Sequence, residues 1–347
     1  IWGDACSIVP WSAYMASGDV SFLEDAYKSI KKWLRYMSRI MALLHPLNPK
    51  KRFLYYGFSW GDWVAPGTSM QEQIKRAKWL ATEYLAYSAH ILALAAGHLG
   101  KEKEAEKYSA LEARIKKCFC DNYLDEKGHI RGGFQSAYAV ALCYDVLPDA
   151  ARKTALDDLE KDVVSRGYHL STGFPGTLHL PFALLDNGRI DTAFRLLLQD
   201  SCPSWLYPVK CGATSVWERW DALREDGSLN TERVGSNNMV SFSHYAYGAV
   251  GQFLYERVGG LVAREAGYRR FTIRPYIGGG IGHARISLET PYGGICSEWD
   301  IQDDGKFTLT VDAPANTRGT VVLPTGERRE VGSGETVFTC STGAAAN

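Results

Sequence analysis

The sequence predicts a mainly α-helical toroid followed by a small antiparallel β-sandwich. The first observation is that apolar residues recur every three or four positions through most of the chain. The second is that this spacing changes to two near residue 258. The third is the short connection at Asn187-Gly188, which favours antiparallel neighbouring helices. We therefore predict a helical domain at 1–258 and a β-sandwich domain at 259–347.

The helical part begins with a predicted helix at 4–16 and a second helix for which Ser21 is a candidate N-cap. The long third helix is expected to stop at Gly100, because glycine commonly ends a helix at its carboxyl end. Asp125 to Gly128 has the composition of a turn. After the second helix, the predicted helices cover 71–99, 101–120, 135–146, 150–165, 177–186, 189–199, a short stretch near 215, and 241–258.

Beyond Gly259, apolar and polar residues alternate, which is typical of strands with one buried face. Turn sequences such as Pro291-Tyr292-Gly293-Gly294 separate the alternating stretches. The six predicted strands cover 270–274, 284–289, 295–301, 306–311, 319–323 and 336–340. Short strands joined by turns in this way favour an antiparallel sandwich.

The charge of the chain is balanced, with 39 Lys and Arg against 39 Asp and Glu in 347 residues. This balance argues against a nucleic acid or a membrane surface as partner. No apolar run approaches the roughly 20 residues that span a bilayer. The glycine-rich segment Ile277-Gly278-Gly279-Gly280 lacks the following helix and the Lys-Ser/Thr pair of a phosphate loop, and no metal-ligand spacing is present. We expect neither a cofactor nor a metal, and the sequence does not indicate an oligomeric state.

The most informative segment is 212–221, where the carboxylate of Glu218 lies between the indoles of Trp217 and Trp220. Indole faces stack on the apolar faces of sugars, and a carboxylate binds hydroxyl groups or activates water. The alternative is a structural ion pair between Glu218 and Arg219, flanked by two core tryptophans. The segment alone does not decide between these interpretations.

Further motifs lie on both sides of this segment. They are Trp2-Gly3-Asp4-Ala5 with Ile8-Val9-Pro10-Trp11, Gly61-Asp62-Trp63 with Ala65-Pro66-Gly67, His169 to Thr177, Pro203-Ser204-Trp205-Leu206-Tyr207, and His244-Tyr245-Ala246-Tyr247-Gly248. In this order, and together with Trp-Glu-Arg-Trp, they resemble the motifs of the α-L-rhamnosidases of glycoside hydrolase family 78. The resemblance extends over nearly the whole chain.

The resemblance implies an (α/α)6 barrel that lacks its first helices, because about ten of the twelve helices are visible from capping and periodicity. It also implies hydrolysis of terminal non-reducing α-L-rhamnose from plant polysaccharides or glycosides, with inversion and with Glu218 as general base. The family's general acid is a Glu upstream of the Trp-Gly-Asp motif, which here would precede Ile1. We therefore expect the chain to be part of a longer protein and to show little hydrolysis alone.

The resemblance further implies substrate-binding roles for Trp2, Asp4, Asp62, Trp63, Trp217 and His244. The three tryptophans are candidates for an apolar wall against the C5 methyl group of rhamnose. Alternatives remain for three of these residues: Trp63 as a core side chain, Asp62 as a loop cap, and His244 as a core histidine with a protein partner. An apparent insertion at 231–237 loosens the match at His244. Gly173 and Gly176 are expected to serve a loop turn rather than the substrate.

Two other classes of function stay open. The first is a non-catalytic barrel that binds carbohydrate, because no residue of the chain matches the general acid. The second is another α/α-barrel glycosidase or a polysaccharide lyase, although a lyase favours a cleft rich in Tyr and His or in Arg. In each case the partner is a carbohydrate. We favour a cytoplasmic location, with the periplasm and secretion left open because the N-terminus is expected to be missing.

Overall fold

The computed structural model describes residues 1–55, 57–231 and 240–342. By backbone contacts the chain divides into two compact units, one of residues 1–8 with 26–249 and one of residues 9–25 with 250–347. The apparent insertion at 231–237 lies, from residue 232 on, outside the described residues. In the described part of the chain, no helix combines the length and the apolar character needed to cross a membrane.

Helices dominate the chain as far as residue 258, as predicted. They are α1 (Ala5–Ser17), α2 (Ser21–Leu44), α3 (Met70–His98), α4 (Glu102–Tyr123), α5 (Gln135–Cys143), α6 (Asp149–Ser165), α7 (Phe174–Thr177), α8 (His179–Leu185), α9 (Ile190–Leu197), α10 (Leu206–Lys210) and α11 (Val250–Phe253). Single turns of 3-10 helix lie at Trp2–Asp4, Pro49–Lys51 and Ala266–Tyr268, a longer one at Tyr245–Ala249, and a π-helical turn at Leu254–Val258.

The predicted stop at Gly100 is confirmed. Gly100 adopts a φ of +68°, and its N–H donates to the carbonyl of Gly97 at 3.0 Å. Residues with a side chain rarely adopt this left-handed backbone conformation. Glycine adopts it readily, which allows the chain to reverse directly from α3 into α4. Such reversals build the helical hairpins of this unit.

Three details of the predicted helices are wrong. Residues near Ser215 are not helical, and the helix expected from residue 241 begins only at Tyr245. The start of α2 is capped by Asp19, whose Oδ1 accepts a hydrogen bond from the N–H of Ser21 at 2.9 Å. Ser21 is therefore the first residue inside the helix rather than its cap.

The helical unit packs around small and apolar side chains of α3 and α5. Leu80, Tyr84 and Val140 form a buried cluster, against which Phe134 and Tyr144 pack. All seven alanines of α3 between residues 77 and 96 are buried, which lets neighbouring helices approach closely. Because α3 is fixed along most of its length, the loop that precedes it is fixed as well.

Two four-stranded sheets follow. The strands are β1 (Leu261–Ala263), β2 (Arg270–Ile273), β3 (His283–Thr290), β4 (Gly293–Ile301), β5 (Lys306–Ala313), β6 (Arg318–Val322), β7 (Arg328–Val331) and β8 (Gly334–Ser341). The first sheet has the order β1-β2-β6-β7 and the second β3-β4-β5-β8. The six predicted strands are present, and β1 and β7 are additional.

The second sheet is antiparallel throughout, with Leu309 opposite Trp299 and Phe338. Its buried face carries Trp299, whose indole N–H donates to the carbonyl of Val258 at 2.8 Å. The first sheet contains one parallel pair, β2 with β6. The predicted succession of a mainly α-helical part and a small, largely antiparallel β-domain is confirmed.

Candidate active site

The segment around Glu218 is extended and pairs with a distant segment of the chain. The N–H of Glu218 donates to the carbonyl of Ser241 at 2.9 Å, and the N–H of His244 donates to the carbonyl of Val216 at 2.8 Å. This pairing explains why the expected helix near residue 215 does not form. It also places the segment that carries Glu218 next to the segment that carries His244.

The carboxylate of Glu218 is not paired with Arg219. The guanidinium of Arg219 instead binds Asp221 through two bonds, Nε to Oδ1 at 2.7 Å and Nη2 to Oδ2 at 2.8 Å. Asn230 also donates to Asp221, at 2.7 Å. In the described part of the chain no side chain bonds to the Glu218 carboxylate, which is 8% exposed. The structural ion pair considered above is therefore absent, and the acid is left for another partner.

The two tryptophans that flank Glu218 are buried, each with 4% of its surface exposed. The indole of Trp217 packs edge-on against Phe242, with ring centroids 5.3 Å apart. The indole of Trp220 stacks on the ring of Tyr247 at 3.8 Å. Trp217 and Trp220 thus support the Glu218 segment from behind.

Phe174 connects the residues that the sequence motifs supply separately. Its ring stacks on the imidazole of His244 at 4.8 Å and meets the rings of Tyr247 and Trp2 edge-on at 5.0 Å and 6.4 Å. The N–H of Phe174 donates to the carbonyl of Trp63 at 3.0 Å. We call Trp2, Phe174, His244 and Tyr247 the aromatic cluster. Phe174 and Tyr247 belong to the sequence motifs described above, but neither was predicted to have a role.

The hydroxyl of Tyr247 reaches the loop before α3, where it donates to the carbonyl of Val64 at 3.1 Å. Burial raises the pKa of Tyr247 well above its ordinary value, and the carboxylates of Asp62, Asp221 and Glu218 raise it further. The phenol therefore stays neutral and keeps the proton that it donates to the carbonyl of Val64.

Asp62 is fully buried and joins three elements. Its Oδ1 accepts from the hydroxyl of Ser136 at 2.7 Å and from the N–H of Gly173 at 2.9 Å, and its Oδ2 accepts from Nη1 of Arg76 at 2.9 Å. A buried carboxylate needs such partners, because an unpaired one is costly to remove from water. In this structure Asp62 anchors the loop that carries Trp63.

Gly173 allows that anchoring. A Cβ atom at this position would lie 2.4 Å from the carbonyl oxygen of Trp63 and 2.5 Å from that of Asp62. The φ of Gly173 is −83°, which any residue adopts, so its role is close approach rather than the turn expected from sequence. The backbone at 173–174 can touch the backbone at 62–63 only because residue 173 has no side chain.

Exposed aromatic side chains surround the partly exposed Trp63. Trp60 meets Trp63 edge-on at 4.8 Å and Phe58 at 5.1 Å. Trp60 and Phe58 are 43% and 64% exposed, and Trp2 is 45% exposed. The signal for Trp60 was present in the sequence, because it precedes Gly61-Asp62-Trp63 directly.

Asp4 lies beneath Trp2 and is 2% exposed. Its Oδ1 accepts from the indole N–H of Trp33 at 2.9 Å and from the hydroxyl of Ser88 at 2.7 Å. Of the seven residues predicted from sequence, the structure connects Trp2 and His244 through Phe174, whose N–H also bonds to the carbonyl of Trp63, and it joins the side chain of Asp62 to the neighbouring Gly173. Glu218 lies in the segment that pairs with residues 241–244, whereas Trp217 contacts Phe242 instead of the aromatic cluster.

These contacts combine a free carboxylate with exposed aromatic surface. Aromatic faces and edges bind the C–H surfaces of a neutral sugar, and the carboxylate of Glu218 can accept a proton from a hydroxyl group or from water. In the described ranges, no three His, Cys, Asp or Glu side chains gather as a metal ion would require.

Comparison with known families gives two matches. Residues 1–258 match the bacterial α-L-rhamnosidase six-hairpin glycosidase domain, and residues 260–338 match the bacterial α-L-rhamnosidase C-terminal domain. A six-hairpin domain is the α/α barrel expected from the sequence motifs.

Two curated relatives are named α-L-rhamnosidase. The protein of Streptomyces avermitilis is 39% identical over 324 residues, which are 93% of this chain and 29% of the relative. The protein of Formosa agariphila is 34% identical over 330 residues, again 93% of this chain and 34% of the relative. The chain therefore spans about a third of the length of these relatives.

Solved structures show the same architecture. The crystal structure of Streptomyces avermitilis α-L-rhamnosidase complexed with L-rhamnose superposes with a TM-score of 0.86 at 37% identity, covering 97% of this chain and 33% of that one. The native α-L-rhamnosidase of Aspergillus terreus gives a TM-score of 0.88 at 33% identity, with 98% and 39% covered.

Proposed function

Because the chain belongs to the bacterial α-L-rhamnosidase family of six-hairpin glycosidases, we propose that it hydrolyses terminal non-reducing α-L-rhamnose. The substrates are plant polysaccharides or glycosides, and the anomeric carbon inverts. Residues 1–258 form the catalytic barrel and residues 259–347 the C-terminal β-sandwich. The observation that carries the proposal is the unpaired carboxylate of Glu218, on a segment that pairs through the backbone with the segment carrying His244 of the aromatic cluster.

Glu218 acts as general base in this proposal. A base must accept a proton from water, and a carboxylate already bound to a guanidinium is a poorer acceptor. The pairing of Arg219 with Asp221 leaves Glu218 free for this task. An inverting glycosidase places its acid on the opposite side of the sugar, about 6.5–9.5 Å from the base, so that a water fits between. We assign no general acid among the residues of this chain.

The proposed substrate-binding residues form two groups, one exposed to solvent and one buried. Trp2 and Trp63 offer exposed indole surface, and His244 can donate to one hydroxyl and accept from another. Asp4, Asp62 and Trp217 are 2%, 0% and 4% exposed, so in this proposal they hold the wall of the sugar site in place. Asp62 fixes the Trp63 loop, and Asp4 fixes the turn that presents Trp2.

The test uses p-nitrophenyl α-L-rhamnoside, because p-nitrophenolate leaves with little help from an acid. We expect the chain to bind L-rhamnose in calorimetry and to release nitrophenolate slowly. Glu218→Gln should retain rhamnose binding and lose at least about 100-fold in kcat, the range of general base catalysis. The first product should be β-L-rhamnose, which NMR detects before mutarotation.

Azide distinguishes a base from a structural residue. In Glu218→Ala, azide ion should attack the anomeric carbon as nitrophenolate leaves, restoring release and forming a β-rhamnosyl azide. Asp221→Ala serves as control, because Asp221 binds Arg219 rather than substrate in this proposal, and azide should not restore its activity. Equal kcat for Glu218→Gln and the unchanged chain would refute the role of Glu218. Rhamnose binding without any hydrolysis would favour the carbohydrate-binding alternative.

A further inference from the structure

One face of α2 is strongly cationic. Its basic residues, spaced by three or four positions so that they share this face, are Lys28, Lys31, Lys32, Arg35 and Arg39. At 1.5 Å per residue this row extends about 16 Å along the helix. A charge pattern of that length is suited to an extended ligand rather than to a single small anion.

The facing wall comes from α4. Lys107 and Arg114 project from it, and Arg52 closes one end. The two walls enclose a cavity of about 680 Å³ whose floor includes Leu34 and Phe53. We call this cavity the basic groove. Its walls are joined at one end by Glu104 of α4, which accepts hydrogen bonds from Tyr27 and Lys31 of α2.

The charge of the basic groove is not balanced locally. Lys31 is paired with Glu104, but the other cations of the groove form no ion pair within the described residues. No acidic side chain lines the cavity, although the whole chain has equal numbers of acidic and basic residues. Ser38 also lines the cavity, and its buried hydroxyl has no hydrogen-bond partner among the residues that the structure describes. Unpaired cations in a concave site attract an anionic ligand.

We propose that the basic groove binds a carboxylate-bearing polysaccharide, a chain that contains uronate residues. Guanidinium groups bind carboxylates through two parallel hydrogen bonds, and the apolar floor suits the C–H surfaces of sugar rings. The cations line a cavity between two helices, and a concave site of this kind fits a flexible chain better than a flat lipid surface. This inference rests on the proposed function, since a rhamnosidase acting on acidic plant polysaccharides would meet such chains. The groove would hold the polymer while the sugar site acts on its rhamnose.

The experiment measures binding of polygalacturonate by affinity electrophoresis and calorimetry. The unchanged chain should bind polygalacturonate and should not bind its fully methyl-esterified form, which has the same backbone without charge. Binding should weaken several-fold between about 0.05 M and about 0.5 M NaCl, because salt screens exposed charges. The variant Lys28→Gln/Lys32→Gln/Arg35→Gln should bind polygalacturonate roughly tenfold more weakly, because it loses three exposed ion pairs with the carboxylates of the polysaccharide.

The matched control is Lys117→Gln/Lys153→Gln/Arg195→Gln, which removes two lysines and one arginine from exposed positions outside the groove. It has the same net charge as the groove variant and should bind like the unchanged chain. Equal weakening in both variants would overturn the assignment to the groove. Equal or tighter binding of dextran sulfate or single-stranded DNA would overturn the preference for carboxylates, and no binding of polygalacturonate would overturn the proposal.

This result is separable from the proposed function. Polygalacturonate carries no rhamnose, so its binding reports on the groove alone. Hydrolysis of p-nitrophenyl α-L-rhamnoside should be the same in the groove variant and the unchanged chain, because that substrate has no carboxylate. If rhamnoside hydrolysis fails but polygalacturonate binds, the basic groove stands as a polysaccharide site without the enzyme activity.

Discussion

The imidazole of His244 stacks on the ring of Phe174, with centroids 4.8 Å apart and planes inclined by 25°. Phe174 also contacts Trp2 and Tyr247, so three predicted or newly found site residues depend on one side chain. Each aromatic pair contributes about 0.5–1.5 kcal/mol. We expect Phe174→Leu to lower kcat/KM for p-nitrophenyl α-L-rhamnoside about 10- to 100-fold, because Trp2 and His244 lose their fixed orientation.

The control for this prediction is Phe119→Leu. Phe119 is fully buried on α4 and packs against Tyr123, away from the aromatic cluster. In urea unfolding, Phe119→Leu should lose about as much free energy of unfolding as Phe174→Leu does, but it should keep its kcat/KM. If both variants lose activity in proportion to their stability, Phe174 has no specific role in the site.

Trp63 is the tryptophan that we expect to contact the C5 methyl group of rhamnose. It packs on Trp60 at 4.8 Å and retains exposed surface. A single methyl contact is worth about 1–3 kcal/mol. Trp63→Ala should therefore weaken binding of L-rhamnose about tenfold and binding of L-mannose, which carries a hydroxymethyl group at C5, much less. Calorimetry with both sugars measures this difference, and equal losses would contradict the methyl contact.

The ion pair of Asp62 with Arg76 is buried, with the two side chains 0% and 12% exposed. Asp62→Asn removes the buried charge partner of Arg76 and leaves the guanidinium with the more distant and more exposed carboxylate of Glu72, 3.8 Å from its Nε. Breaking a buried ion pair costs about 3–5 kcal/mol. Urea unfolding should show this loss. The double variant Asp62→Asn/Arg76→Met should be less destabilised than Asp62→Asn alone, because no buried charge is then left unpaired.

The same variants test how Asp62 acts. If it holds the Trp63 loop, Ser136→Ala should weaken rhamnose binding in the same direction, although Ser136 is itself fully buried. Ser297→Ala is the control, because Ser297 is an equally buried serine on β4 that donates to the carbonyl of Gly259 instead. Full rhamnose affinity in Asp62→Asn would refute both the direct and the indirect role.

The features that the sequence predicted correctly depend on neighbouring residues, whereas the features that were missed depend on contacts between distant segments. Helix spacing and Gly100 identified most helices, because periodicity and capping act within a few residues. The extended form of residues 216–218 was missed because it depends on hydrogen bonds to residues 241–244, far away in the chain. The parallel pairing of β2 with β6 was missed for the same reason, since alternation of apolar residues does not identify a strand's neighbour.

The candidate site shows the same limit. Glu218 and His244 were found because their motifs resemble those of a known family. Phe174 was not assigned a role, because the sequence around it gives no sign that three rings from two other segments pack on it. Gly173 was assigned to a turn, since its contact with the backbone of Asp62 and Trp63 exists only in three dimensions.

Glu83 is a fully buried carboxyl group on α3, and neither of its oxygens has a hydrogen-bond partner within the described residues. Burial raises the pKa of Glu83 well above its ordinary value, and Asp62 raises it further. The unfolded chain therefore releases this proton first, so the group costs stability as pH rises through and beyond its ordinary pKa. Glu83→Met should gain about 1–3 kcal/mol, the cost of a buried polar group left unpaired.

Urea unfolding at about pH 5 and about pH 8 checks this expectation, with the larger gain at the higher pH. The control is Glu106→Gln, at an exposed position of α4, which should change stability by less than about 0.5 kcal/mol at both pH values. A gain that is independent of pH would show that packing, rather than ionisation, explains the effect. A loss of stability would show that the carboxyl group has a partner.

His179 lies against the rings of Tyr144 and Tyr84, at 4.8 Å and 6.4 Å. Burial lowers the pKa of His179 from 6.5 to about 4. As pH falls, the unfolded chain therefore binds a proton at this position before the folded chain does. The free energy of unfolding should decrease by up to about 3 kcal/mol between pH 6.5 and about pH 4. His179→Gln should flatten this decline in thermal unfolding, whereas His283→Gln, at a position that is 57% exposed, should not. An unchanged slope in His179→Gln would show that other groups cause the acid sensitivity.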